Sequence, residues 1–98
     1  MTEKIIVMAI ATPKKEHFQD CIDALLELQV PTLKEPGCLQ FEIMTSKDAD
    51  GKIYFFEQFA DKESFDLHFT YEYTKKVFAL YENWLAEEIE IKFMTRAE

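Results

Sequence analysis

The chain has 98 residues, 11 basic and 19 acidic side chains, and a formal net charge of −8 at pH 7. The length suits a single domain over residues 1–98, and the acidic balance argues against nucleic acid or an anionic membrane surface as a partner. With 48% hydrophobic and 14% aromatic residues but only 2 Gly and 3 Pro, the composition is that of a packed globule, not a disordered segment.

Strand one, Lys4 to Thr12, is continuously apolar from Ile5 to Ala11, so both of its faces need cover. The run is at the short limit for a signal-peptide core and has an acidic flank at Glu3, and it reads as a buried strand. Thr12-Pro13 has the form of a helix start, with Thr as N-cap and Pro in the first helical position. Phe18, Cys21, Ile22, Leu25 and Leu28 then recur at three and four residues, the stripe of an amphipathic helix. Pro31 is expected to end or kink it, and Glu35-Pro36-Gly37 marks a turn. Leu39, Phe41 and Ile43 alternate with Gln40, Glu42 and Met44 as a strand with one buried face. Asp48-Ala49-Asp50-Gly51 supplies a short hairpin loop. The next strand, Ile53 to Phe59, is apolar on both faces except at Glu57 and Gln58. Asp61 caps a helix carrying Phe65, His68 and Phe69 to about Thr70. A longer helical pattern holds Tyr73, Val77, Leu80, Tyr81 and Trp84; no Pro or Gly separates the two stretches, which leaves one helix or two open. Glu87 to Thr95 closes the chain as an alternating strand with Ile89, Ile91 and Phe93 on one side.

The order β-α-β-β-α-β is that of the α+β ferredoxin-like fold, a four-stranded antiparallel sheet with its helices on one face. In that fold the first and third strands are central, and these are the two that are apolar on both faces. Two helices cover one face only, so the apolar residues on the other, Ile6 and Met8 or Tyr54 and Phe56, predict a homodimer packed sheet to sheet. Cys21 and Cys38 lack the spacing of a metal site or redox pair and read as free thiols in a reducing, cytoplasmic protein. No stretch approaches the ~18 apolar residues of a membrane span.

Glu35-Pro-Gly-Cys-Leu-Gln-Phe-Glu, Phe56-Glu-Gln-Phe-Ala-Asp61 and Ser64-Phe-Asp-Leu-His68, in that order and spacing, resemble the antibiotic biosynthesis monooxygenase family. The resemblance extends from the first strand to the fourth. It implies a dimeric α/β barrel with a pocket between helices and sheet, and cofactor-free oxidation of quinols or polyphenols in some members. Other members degrade haem, or isomerise or cleave small sugar-derived signalling molecules. The chain departs from the family pattern at Phe41, often tyrosine there; at Tyr73, where a second histidine is common; and at Phe59, frequently tryptophan. A haem-degrading relative would place an axial histidine about where Phe78 stands, so haem is not expected.

Oxygenation without metal or flavin needs a substrate that supplies its own electrons, a base for its phenolic proton, and a dry pocket. His68 suits the base, its ordinary pKa lying near neutrality. Glu57 is expected to orient and charge it, and Phe41, Phe59, Tyr73, Tyr81 and Trp84 are candidate substrate contacts. Glu57 could instead face the dimer interface or pair with a lysine, the helical aromatics could be core alone, and His17 is expected to be solvated. The leading expectation is therefore a cofactor-independent monooxygenase taking a small aromatic quinol and dioxygen. The alternatives are an isomerase or lyase of a small hydroxyketone, for which Lys62, Lys75 and Lys76 are the nearest phosphate-binding candidates, and a non-catalytic ligand-binding dimer.

Overall fold

In a computed structural model describing residues 3–98, the elements are β1 (Ile5–Ala11), α1 (Phe18–Thr32), β2 (Cys38–Thr45), β3 (Ile53–Phe59), α2 (Lys62–His68), α3 (Glu72–Trp84) and β4 (Glu90–Met94). The antiparallel sheet has the order β2-β3-β1-β4, so the two strands apolar on both faces are central. This is the ferredoxin-like arrangement.

Period two separates the faces. Val7, Ala9 and Ala11 of β1 and Ile53, Phe55, Glu57 and Phe59 of β3 turn toward the helices and are buried. There they pack with Cys21, Leu25 and Leu28 of α1 and Val77 and Tyr81 of α3. Ile6, Met8, Ile10, Tyr54 and Phe56 lie on the opposite face, uncovered by any helix of the chain and only half-buried.

One boundary differs from the sequence reading, one agrees with it, and one that it left open is resolved. Thr12-Pro13 does not start a helix. Thr12 accepts a hydrogen bond from Ala86 N at 2.8 Å, and Lys14 N donates to Trp84 O at 2.8 Å, which keeps this segment extended until a 3-10 turn over Lys15–His17 leads into α1. Pro31 lies within the last turn of α1, which ends one residue later at Thr32. The helical stretch after Asp61 is two helices. Thr70 Oγ1 donates to Leu67 O at 2.7 Å, and Phe69 N and Thr70 N bond three residues back, tightening the chain before Tyr71 turns extended as the N-cap of α3.

Candidate functional site

The site is assembled by two chain reversals that meet. At the end of α1, Lys34 N and Glu35 N bond back to Pro31 O and Thr32 O, and Gly37 then takes φ +90°. Ala60 N donates to Gly37 O at 2.7 Å, tying this turn to the end of β3. A Cβ at Gly37 would overlap the Oγ and Cβ of Ser64, so the turn can approach α2 only as glycine. Asp61 caps α2 as its sequence position predicts, accepting from Ser64 N at 2.8 Å. The turn thus brings Glu35 against His68, the last residue of α2.

His68 is 3% exposed and Glu35 is 8% exposed. His68 Nδ1 stands 3.1 and 3.0 Å from the two carboxyl oxygens of Glu35, and the Tyr73 hydroxyl donates to Glu35 Oε2 at 2.5 Å. Nδ1 is thus the ring nitrogen engaged by the Glu35 carboxyl, and no hydrogen bond reaches Nε2 among the described residues. Phe41, Phe59 and Phe69 pack around the ring at centroid distances of 5.9, 5.3 and 5.2 Å. Burial, and then the bond to Glu35, hold the Tyr73 hydroxyl above its ordinary pKa, so it stays a donor.

Glu57 is not the histidine's partner, contrary to the sequence reading. It sits between Val7 and Phe41 in the strand register, on the helix-covered face, 6% exposed. No hydrogen bond reaches its carboxyl among the described residues. Burial pushes its pKa from 4.5 up to about 7, and the nearby Glu35 carboxylate adds in the same direction. The position that orients His68 is Glu35, which the sequence reading used only as a turn marker. The pairing spans 33 positions of sequence and no periodicity signals it.

His68 and Glu57 both line one tight cavity of about 30 Å³ between sheet and helices. Its other walls are apolar, including Val7, Phe41, Phe55, Phe65 and Val77, and no Lys or Arg is among them. Of the expected substrate contacts, Phe41 and Tyr81 line this cavity. The Tyr81 hydroxyl is committed to Cys21 O at 2.9 Å. Phe59 is fully buried behind His68, Tyr73 reaches the site through Glu35, and Trp84 stacks on His17 at 5.4 Å, away from the cavity. His17 also bonds Asp20 at 2.9 Å, so it is not simply solvated. Phe78 and Ile91, 40% and 46% exposed, form part of the cavity's rim.

An α+β domain of this topology, with an oriented histidine inside an apolar cavity, defines a class of small pocket-bearing proteins. Within it, the sequence pattern of the antibiotic biosynthesis monooxygenase family matches residues 4–84, and the chain belongs to that family. An uncharacterised protein of Synechocystis sp. is 29% identical over 85 residues, covering 87% of this chain; the chain spans 56% of that relative's length. A conserved protein from Methanosarcina mazei Go1 is 27% identical with a TM-score of 0.86, covering 93% of this chain and 90% of that one. The crystal structure of an antibiotic biosynthesis monooxygenase, at 21% identity, superposes with a TM-score of 0.87 over 96% of this chain and 99% of its own. A Pseudomonas aeruginosa protein, at 22% identity, does so with 0.91 over 100% and 98%. These last two show the shared fold.

Proposed function

We propose that the protein is a cofactor-independent monooxygenase of a small, neutral aromatic phenol or quinol, with dioxygen as the second substrate and His68 as the base. The observation that carries the reading is the state of His68: Nδ1 is held by a carboxylate that itself accepts a second hydrogen bond from Tyr73, and Nε2 is left free at an apolar cavity. Glu35 and Tyr73 are positioning residues. They fix the tautomer and compensate the charge that forms when Nε2 accepts the phenolic proton. The phenolate then gives an electron to dioxygen, in a pocket whose apolar walls keep water from the intermediates. A cavity of this size holds about two waters, so a ring enters by displacing the exposed rim residues Phe78 and Ile91.

A phosphorylated hydroxyketone, the substrate of one alternative reading, finds no support at the cavity. Lys62 and Lys75 are exposed and engaged with Asp66 and Glu72, and neither they nor Lys76 line the cavity, so nothing there would hold a phosphate. The half-buried apolar residues of the open sheet face favour a twofold homodimer joined by those faces. Sedimentation of the wild type against Phe56→Glu tests this, a dimer that falls to monomer being expected.

The decisive experiment is oxygen uptake by the purified protein, without added metal or flavin, over a panel of dihydroxynaphthalenes and other quinols. Uptake that drops at least about 100-fold in His68→Ala is expected, the scale of a lost general base. Uptake that survives His68→Ala removes the histidine from the mechanism. Tight binding without uptake leaves a ligand-binding protein.

A further inference from the structure

Glu57 is the second titratable side chain of the cavity, and the role expected of it is taken by Glu35. Glu57 is 6% exposed on the helix side of a central strand, and its carboxyl carries no hydrogen bond among the described residues. Among the described residues, no element packed against it supplies a charge that would hold it ionised. β1 presents Val7 and α1 presents Leu25 and Leu28, none titratable. The segment from the end of α1 through β2 contributes Glu35 and Cys38, the first repelling a carboxylate and the second, its thiol pushed up to about 11 by burial and by Glu35, remaining neutral. α3 offers Tyr81, whose hydroxyl is turned to Cys21 O, and α2 offers His68, whose charge, when it forms, is matched by Glu35. An unpaired carboxylate in such surroundings is disfavoured relative to the neutral acid.

We propose that Glu57 enters turnover as a neutral acid and is the proton donor of the site, opposite in role to His68, so that the cavity selects an uncharged phenol over any anionic aromatic. This rests on the oxygenase reading above. His68 Nε2 takes the phenolic proton; the phenolate passes one electron to dioxygen, and the phenoxyl radical and superoxide combine to form a carbon–oxygen bond and a peroxide anion. Glu57 protonates the terminal peroxide oxygen and becomes a carboxylate. That carboxylate removes the hydrogen from the newly oxygenated carbon as the oxygen–oxygen bond breaks, which restores neutral Glu57. The departing hydroxide takes the proton from His68 and leaves as water. One phenol and one dioxygen yield one quinone and one water. Dioxygen is the oxidant, and both side chains return to their starting states.

Two measurements test it. Infrared difference spectra of wild type against Glu57→Gln at pH 6 are expected to contain the carbonyl stretch of a neutral carboxylic acid, absent from the variant and lost from the wild type as pH rises through about 7. A wild type lacking that band overturns the proposal, and this needs no substrate. In steady-state kinetics, Glu57→Gln keeps a hydrogen-bond donor of the same shape but cannot release a proton. Affinity for a neutral quinol is expected to stay within about 3-fold while kcat falls on the order of 100-fold, and the decline of wild-type kcat above pH 7 disappears. Uptake unaffected by Glu57→Gln sinks this proposal and leaves the oxygenase reading standing, whereas no uptake by the wild type sinks both. If Glu57→Gln does not fold, Glu57→Asp replaces it. The infrared band must then persist with an altered titration, and an unaltered band assigns the acid elsewhere and overturns the proposal.

Discussion

Glu35 and Glu57 are both buried, both border the same histidine's surroundings, and differ in almost everything else. Glu35 comes from a turn, where the backbone is free to aim its carboxyl at two donors, and it ends in three contacts with His68 Nδ1 and Tyr73. Glu57 comes from the middle of a central strand, where the pleat fixes its direction toward the helices and no donor meets it. Similar burial thus leaves the two carboxyls in different surroundings: two donors meet Glu35, whereas none meets Glu57 among the described residues, and desolvation without a partner favours the acid form of Glu57. Buried acidity in a sequence is therefore not a role until the donors around it are known.

The same substitution at the two sites should have opposite signs. Glu35→Leu strands the His68 ring nitrogen and the Tyr73 hydroxyl, and is expected to lose about 3 kcal/mol or more in urea unfolding at pH 8. Glu57→Leu strands nothing and removes a carboxyl the fold holds against its preference, so at pH 8 it is expected to gain stability, up to about 3 kcal/mol. The pH dependence sharpens this. Between 4.5 and about 7 the folded protein retains a proton at Glu57 that the unfolded chain has released. Stability therefore falls as pH rises through that window and is flat in Glu57→Leu, which thermal melts at pH 5 and pH 8 would reveal. A wild type that gains stability over that interval, relative to the variant, refutes the assignment of Glu57 as the acid. Tyr73→Phe takes one of two donors from Glu35 and is expected to cost about 1–2 kcal/mol, against less than about 0.5 for Tyr54→Phe, whose hydroxyl bonds exposed Asp50. The smallest effect is on Cys38, whose thiol is held near 11 first by burial and then by Glu35. Glu35→Gln should speed its reaction with a disulfide reagent a few-fold at pH 8 and leave Cys21 as slow as before.

Much of the fold was legible because sheet position writes itself into hydrophobic pattern. Strands that are apolar on both faces are central, and an aspartate three residues before Ser64 caps a helix by local geometry alone. The break at Phe69 to Tyr71 was not legible, since it depends on the Thr70 side chain bonding Leu67 O and not on a breaker residue. β4 shows the reverse failure: its alternation suggests a buried face, yet Ile91 and Phe93 remain 46% and 65% exposed. Of the candidate site, four residues the sequence singled out, His68, Glu57, Phe41 and Tyr81, line the cavity, but the face Glu57 occupies was left open and the histidine's partner was misassigned. A contact between a turn and a helix end has no period to detect.

The glycine in the turn has a practical meaning for anyone reshaping this pocket. The hydrogen atom at Gly37, in place of a methyl group, is what lets the turn bearing Glu35 rest on the helix bearing His68, with Ser64 in contact between them. Glu35 and His68 are therefore indexed to one another by a clearance smaller than a side chain, while Phe78 and Ile91 border the same cavity from more open positions. A combinatorial library that diversifies Phe78 and Ile91 and leaves Gly37, Ser64 and Phe69, which packs on His68, untouched should change which ring is admitted without moving the Glu35–His68 pair, so on the proposed mechanism substrate scope and catalytic geometry can evolve separately in this scaffold.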